Sequence, residues 1–379
     1  RWGDQDYAKY ENARRSYSLM LEREGVQQVL LFRMLRYFIR TDNMEEIERM
    51  RTYLGMVEME IDGEAYAELG GYLLDKHLAE PLRYNLDGVS QVLLDALDAA
   101  PEYPPVYYHL ARIYRLSMSI GPENRSLDAA IQLFEKKRPL GRRDMEMLLD
   151  AVIRRGENFA DQEQDLDALR YLTRAKTEYE NAVDRMLIES DPKYGRVYDR
   201  IGDIYYYRGS EYEDALQMYL KAKQNGYSTR EMDYKIGVVH YRAQRYDDAL
   251  QAFTDSRGAF SQERNLDYAI ANTLFRRRSY SAAVGYYQRL LRDLMAERNA
   301  IPNLLINENP RHLALVEYLR RTYNNLGVAL LREARTSGNR ENWTRGMASL
   351  AQSAEISENY LREPETAERA ATVNLGYLM

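Results

Sequence analysis

The sequence predicts an all-α fold in which helical hairpins stack side by side into an α-α superhelix, or solenoid. One reason is a spacing of 34 residues between small residues that mark successive units: Ala215, Ala249 and Ala283. A second set of small residues, 35 and 34 positions apart, precedes them: Gly202, Gly237 and Ala271. Gly202 and Ala271 are followed three positions later by Tyr205 and Leu274, and Gly237 by His240, which is the spacing of a helix face. Of the 379 residues, 45% are hydrophobic, enough for a large core, and no apolar run approaches the roughly 20 residues of a membrane-spanning helix.

The N-terminal half departs from a regular repeat. Residues 1–62 have apolar residues at helix spacing but no repeat pattern, and we expect a helical cap or a degenerate repeat. Within them, residues 26–39 mix apolar residues with Arg, which favours a packed helix over one that lies on a membrane surface. Residues 63–140 contain two repeats with insertions, for which longer helix ends or projecting loops are expected. Residues 141–192 form a degenerate helical spacer or repeat.

The C-terminal half is more regular. Residues 193–300 contain three regular repeats, and residues 301–379 contain one more repeat with an insertion near Ser337–Asn339. Its last segment, Thr372–Met379, is predicted to begin a further helix. Because the sequence opens at Arg1 with no initiator Met and no apolar leader, we expect it to be part of a longer protein.

Small residues determine how closely the two helices of a hairpin can approach. We expect the small residue of the first helix, such as Gly202, to face that of the second, such as Ala215, because larger side chains would force the helices apart. The aromatic residues three positions before and four positions after each Ala are expected to fill the gap to the neighbouring hairpin.

These residues together resemble the tetratricopeptide repeat, a helix-turn-helix unit of 34 residues. Pro101 and Pro192 occupy the position of its closing proline, and each is followed six residues later by the aromatic residue that opens the next repeat, Tyr107 or Tyr198. The resemblance spreads over most of the chain. It implies a stacked superhelix that binds other proteins in a concave groove lined by the first helices.

We expect partner-binding residues where the first helices face this groove. Counted from the fourth position of a repeat, the residues one, five, eight and nine places later share one helix face. They are mostly Tyr and Arg, which are enriched at interface hot spots. The candidates are Tyr108, Arg112, Arg115, Tyr206, Tyr207, Tyr234, Tyr241, Arg242, Tyr268, Asn272, Phe275 and Arg276. The same positions hold Asp199 and Asp203, and Leu331 in the last repeat. The resemblance also covers a subtype that clamps chaperone C-termini with Lys and Asn, which the two Asp residues argue against.

Cofactor, metal and catalytic motifs are absent from the sequence. With no Cys, disulfides, thiolate catalysis and Cys-ligated zinc are excluded. No glycine-rich phosphate or dinucleotide motif and no nucleophile elbow occurs. No histidine lies in a zinc motif, so helix-packing or surface roles are expected for His77, His109, His240 and His312. The basic run at Arg276–Arg278 is assigned to a helix C-terminus. A net charge of −6 argues against nucleic acid as the partner.

The first hypothesis for function is a non-enzymatic scaffold that binds other proteins of unknown identity. The sequence has 33 Tyr, and only 9 of its 53 basic residues are Lys, a composition suited to protein recognition. One alternative is a self-assembling structural subunit of a bacterial envelope machine, such as a periplasmic flagellar motor collar. Another is a regulatory arm of a larger enzyme. The lack of Cys favours the bacterial periplasm or envelope over the cytoplasm.

Overall fold

A computed structural model describes residues 28–56, 60–208, 211–260, 263–302 and 310–361. These residues form sixteen α-helices, and no strand occurs among them. The all-α class predicted from the sequence is therefore confirmed. The helix start predicted at Thr372–Met379 lies outside the described residues, as does the part of the N-terminal segment before residue 28. The chain divides into two compact units, Arg1–Ser190 and Asp191–Met379.

The first unit contains eight described α-helices. Helices α3 to α8 form three hairpins, and the second helix of each hairpin packs on the first helix of the next. Helix α1 packs on α2 and α3. The helices are α1 (Gln28–Arg40), α2 (Met44–Met56), α3 (Gly63–Ala79), α4 (Leu86–Ala99), α5 (Pro104–Leu116), α6 (Ile120–Lys136), α7 (Arg142–Asp161) and α8 (Asp165–Asp184).

The second unit contains four described hairpins that are stacked in the same way. A short 3-10 turn, Pro192–Tyr194, precedes them, and a π-helical turn, Ser357–Leu361, follows them. The helices are α9 (Gly195–Arg208), α10 (Tyr212–Gln224), α11 (Met232–Arg242), α12 (Tyr246–Asp255), α13 (Glu263–Arg276), α14 (Tyr280–Asn299), α15 (Pro310–Ser337) and α16 (Arg340–Ile356).

Glycines on the first helices make room for aromatic rings of their partner helices. A Cβ placed on Gly202 would lie 2.7 Å from the ring of Tyr219, and one on Gly237 would lie 2.6 Å from the ring of Phe253. The atoms nearest to Gly202 thus belong to Tyr219 and not to Ala215. The aromatic residues four places after Ala215 and Ala249 pack on the first helix of their own hairpin. Each also belongs to an apolar cluster that includes the first helix of the next hairpin, as the sequence predicted. Each ring is flat enough to lie on a helix that lacks a side chain at this point.

In four hairpins, the structure describes a turn of three residues between the two helices. The middle residue of each turn has a positive φ, although none of the four is Gly: Met118, Glu163, Gln244 and Arg278. This left-handed residue ends the first helix and reverses the chain. Arg276 is the last residue of α13, in agreement with the assignment of the basic run to a helix C-terminus.

The predicted insertions take two forms. Between α3 and α4 the extra residues form a loop, from Glu80 to Asn85. In the other two hairpins they lengthen the helices, because α6 has 17 residues and α15 has 28. Both forms were expected, and the structure shows which one each hairpin uses.

The arginine-containing helix α1 is a packed element. Its apolar face is buried, with Leu35 and Phe38 at most 2% exposed. Arg36 leaves this face to pair with Asp62 and Glu64 at the start of α3. The packed-helix prediction is therefore confirmed for the described part of this segment. Among the described helices, none combines the length and the apolarity that a bilayer crossing requires.

We predict that Gly237→Val lowers the melting temperature by roughly 2 to 12 °C, because overpacking costs about 1–3 kcal/mol and each kcal/mol lowers the melting temperature of a unit of this size by about 2–4 °C. Thermal unfolding followed by circular dichroism measures this. The matched control is Gly285→Ala on α14, where a Cβ would meet open space and helix propensity improves. An unchanged melting temperature for Gly237→Val would contradict the glycine–aromatic packing.

Candidate functional site

A cavity of about 310 Å³ lies in the second unit, and most of its lining residues come from the first helices of the hairpins. Helices α9, α11 and α13 provide most of its lining, and α12 and α15 add one residue each. Among the described residues that line it, Arg242 is the only charged one. The lining consists of Tyr206, Tyr234, Val238, Tyr241, Arg242, Phe253, Asn265, Tyr268, Ala269, Asn272 and Tyr318.

Aromatic rings form the walls of the cavity. Tyr234 stacks on Phe260 with ring centroids 4.2 Å apart and an interplanar angle of 6°. It also contacts Phe253, at 5.5 Å. Tyr268 lies 5.2 Å from Tyr318. Each contact fixes a ring by packing, so the walls are held in place before anything binds. Burial raises the pKa of Tyr234 and of Tyr268, so both hydroxyls remain protonated donors near neutral pH.

Asparagine amides hold the tyrosine hydroxyls at one side of the cavity. The Tyr287 hydroxyl donates to Asn272 Oδ1 at 2.6 Å. Asn325 Nδ2 donates to the same oxygen at 3.1 Å and to the Tyr268 hydroxyl at 2.9 Å. Because these four side chains come from α13, α14 and α15, the network joins the third repeat to the fourth. It fixes the orientation of Asn272 at the cavity surface.

Two arginines lie beside tyrosine hydroxyls on the preceding repeat. Arg242 interacts with the hydroxyl of Tyr206, and Arg276 interacts with that of Tyr241. Both arginines are exposed. These contacts place two polar donors beside the aromatic walls.

The two acidic residues predicted to face the groove are bound within the protein. Lys235 Nζ lies 3.2 Å from an Asp199 oxygen and 3.0 Å from an Asp203 oxygen. The Tyr219 hydroxyl donates to Asp203 at 2.7 Å. Burial would lower the pKa of Lys235, but the charges of Asp203 and Asp199 raise it above its usual value. This cluster links α9 to α11 and occupies both carboxylates.

Half of the twelve candidate residues line the cavity, and the structure brings them together. They are Tyr206, Tyr234, Tyr241, Arg242, Tyr268 and Asn272. Arg276 lies next to Tyr241, as described above. Whether any of them binds a partner stays a prediction.

Five residues placed on the groove face have other surroundings. In the first unit, the Tyr108 hydroxyl donates to Asp150 at 2.9 Å, Arg112 pairs with Asp75 at 2.6 Å, and Arg115 is exposed. In the second unit, Tyr207 is 80% exposed and Phe275 packs on Tyr280. None of the five lines the cavity.

Leu331, which shares this position in the fourth repeat, is fully buried against Gly346. Its placement in the groove was wrong. The hairpin of α15 and α16 is lengthened, so counting from regular repeats selects the face that packs on α16.

Val238 holds one of the counted groove positions, five places after the fourth position of its repeat, and the other four lining residues were not predicted from the sequence. Asn265 and Ala269 lie on the face of α13 that also carries Tyr268 and Asn272, at offsets of three, four and seven residues. Extending the repeat count by one turn towards the N-terminus would have found Asn265. Tyr318 lies on α15 before the first counted position of the fourth repeat, and Phe253 comes from a second helix, so neither is among the counted positions of the first helices.

The four histidines have packing or surface contacts. His109 is buried beside Gly71 on α3, and burial lowers its pKa to about 3. His77 Nδ1 contacts the Tyr84 carbonyl oxygen, and Arg245 donates to His240 Nδ1. Within the described ranges, no group of three His, Asp or Glu residues is arranged to hold a metal ion.

Solved structures with a similar fold include tetratricopeptide proteins. No protein-family model and no curated protein matches the chain. The C-terminal part of a TPR repeat-containing protein from Cytophaga hutchinsonii is 15% identical, with a TM-score of 0.45 over 74% of this chain and 98% of that one. YrrB, described as a TPR protein with an unusual peptide-binding site, is 17% identical, with a TM-score of 0.38 over 52% and 86%. PilF of Pseudomonas aeruginosa is 16% identical, with a TM-score of 0.42 over 61% and 90%. The stacked helical hairpins described above agree with the fold that the predicted tetratricopeptide resemblance implies.

We predict that Lys235→Met destabilises the second unit by about 3 kcal/mol at pH 7, because it removes the cation that pairs with the buried Asp199 and the partly buried Asp203. Burial raises the pKa of Asp199 even with Lys235 present. In the variant, the Asp199 carboxylate becomes protonated when the pH falls below its raised pKa, and this removes an unfavourable buried negative charge. The free energy of unfolding lost relative to the wild type should therefore be smaller at pH 5 than at pH 7. Denaturant unfolding at both pH values measures it.

The control for this prediction is Lys223→Met. Lys223 pairs with Asp233 at the surface, so a loss of no more than about 1 kcal/mol is expected. An equal loss for Lys235→Met at both pH values would show that the two carboxylates are not the cause.

Proposed function

We propose that this chain, an all-α protein of stacked tetratricopeptide-type hairpins, is a non-enzymatic interaction module that binds a segment of a partner protein at the tyrosine-lined cavity. The observation that carries the proposal is the lining itself. Five tyrosines and two asparagines surround a space of about 310 Å³, which is at the lower end of the range for ligand pockets. Such a space fits one or two side chains of a bound segment.

The chemistry of the lining is suited to protein recognition. Tyr and Arg dominate interface hot spots because they combine a large contact area with directed hydrogen bonds. The rings of Tyr234 and Tyr268 are held by their neighbours, so little side-chain entropy is lost when a segment binds. Asn272 presents an amide that is already oriented. These features support apolar anchoring together with backbone or side-chain hydrogen bonds.

The envelope subunit and the enzyme arm considered from the sequence remain alternatives. A structural subunit needs a self-complementary surface, and an enzyme arm needs a catalytic part. The cavity instead favours recognition of another chain, because its polar groups face a space within the repeat stack. Bacterial periplasm or envelope is kept as the proposed location on the composition alone.

We predict that Val238→Trp blocks the cavity and weakens binding of the partner at least about tenfold, because the indole occupies the space of an anchoring side chain. Affinity capture with the full chain identifies the partner, and titration of the purified partner gives the Kd. Ser281→Trp, at an exposed position of α14, is the control. Both variants should melt within about 2 °C of the wild type. An unchanged Kd for Val238→Trp would reject the cavity as the binding site.

A further inference from the structure

The two arginines beside the cavity occupy one repeated position. Arg242 and Arg276 are 34 residues apart, and their hydroxyl partners, Tyr206 and Tyr241, are 35 apart. Each arginine therefore makes the same contact to the repeat before it. The series ends at Phe275, which holds the tyrosine position of the third repeat but has no hydroxyl. The result is a short row of guanidinium groups along the first helices.

Neither contact neutralises the guanidinium charge. Arginine has five N–H donors in a planar fork, whereas a tyrosine hydroxyl accepts a hydrogen bond without supplying a negative charge. Other arginines of these repeats pair with carboxylates: Arg245 with Glu213, Arg264 with Glu297 and Arg277 with Asp247. Within the described residues, no carboxylate pairs with Arg242 or Arg276. Both thus keep a full charge and open donors.

The acidic residues on the same helix face do not supply the missing negative charge. Asp199 and Asp203 are held by Lys235, and no carboxylate lines the described cavity. The cavity and its edge therefore carry positive charge in a chain whose net charge is −6. This local sign is the opposite of the overall one, and it selects for a negatively charged ligand.

We propose that the bound segment is an acidic peptide, with an apolar side chain in the cavity and flanking Asp or Glu residues on Arg242 and Arg276. This rests on the proposed function and names the chemistry of its ligand. The apolar side chain contacts the rings of Tyr234, Tyr268 and Tyr318. The carboxylates accept charge-assisted hydrogen bonds from the guanidinium groups, which are stronger than neutral ones. A single-stranded nucleic acid offers phosphates and bases to the same groups, but the net charge of −6 disfavours it.

The test is a selection from a random peptide display library on the full chain, followed by Kd measurements with one synthetic peptide of the enriched pattern. We expect enrichment of Asp and Glu next to an aromatic or aliphatic residue. Arg242→Ala should weaken the synthetic peptide at least about tenfold, the effect of losing a hydrogen bond to a charged group. Arg292→Ala, at an exposed position of α14, is the matched control and should leave the Kd unchanged.

A change on the peptide keeps the test independent of protein folding. Replacing its acidic residues with Gln or Asn should weaken binding to the unaltered protein by a similar factor, and added salt should weaken the acidic peptide more than the neutral one. If the enriched peptides are neutral or basic and Val238→Trp abolishes their binding, the acidic ligand is overturned and the proposed function stands. If Val238→Trp abolishes the binding of none of the enriched peptides, both the acidic ligand and the proposed function are rejected. Displacement of the acidic peptide by an equimolar 20-nucleotide uridine oligomer would assign the site to nucleic acid and overturn the proposal.

Discussion

The close approach of the two helices in each hairpin is the constraint on which the second unit depends. A ring of the second helix lies on a glycine of the first, as Tyr219 lies on Gly202 and Phe253 on Gly237. A Cβ on either glycine would lie within 2.7 Å of the ring, and the third hairpin has the next smallest residue, Ala271, at this position. Because small residues recur here at about 34-residue spacing, the first helices of these three repeats meet the stack in the same orientation. The same faces of α9, α11 and α13 are therefore presented side by side, and the cavity forms along them.

This packing also determines where polar links between repeats can form. In the first repeat of the unit the hydroxyl of Tyr219 reaches Asp203, and in the third that of Tyr287 reaches Asn272. The two acceptors hold equivalent positions on their first helices, and each also binds a side chain of the following repeat. That side chain is Lys235 in one case and Asn325 in the other. A ring placed for hairpin packing thus carries a hydroxyl that joins adjacent repeats.

The repeat could be predicted because its spacing of small residues is itself the packing constraint. The cavity was harder to predict, because its lining depends on more than repeat position. Tyr206 and Tyr207 are adjacent and point about 100° apart on the helix, so one lines the cavity and the other faces solvent. Tyr318 lies on α15, and the 34-residue register of the sequence is lost between α14 and α15. Leu331 lies in a lengthened hairpin, where the counted position turns towards the partner helix.

The cavity occurs where the polar link is missing. In the second repeat of the unit, the residue equivalent to Tyr219 and Tyr287 is Phe253, which has no hydroxyl. The residue equivalent to Asp203 and Asn272 is Val238. Without a donor and an acceptor, this repeat cannot make the link seen on either side, so an apolar surface stays open between two fixed neighbours. The hydroxyls of Tyr206 and Tyr241 instead lie beside Arg242 and Arg276 and do not cancel their charge. An apolar centre flanked by uncompensated cations thus follows from replacing one Tyr and one polar residue in an otherwise regular array.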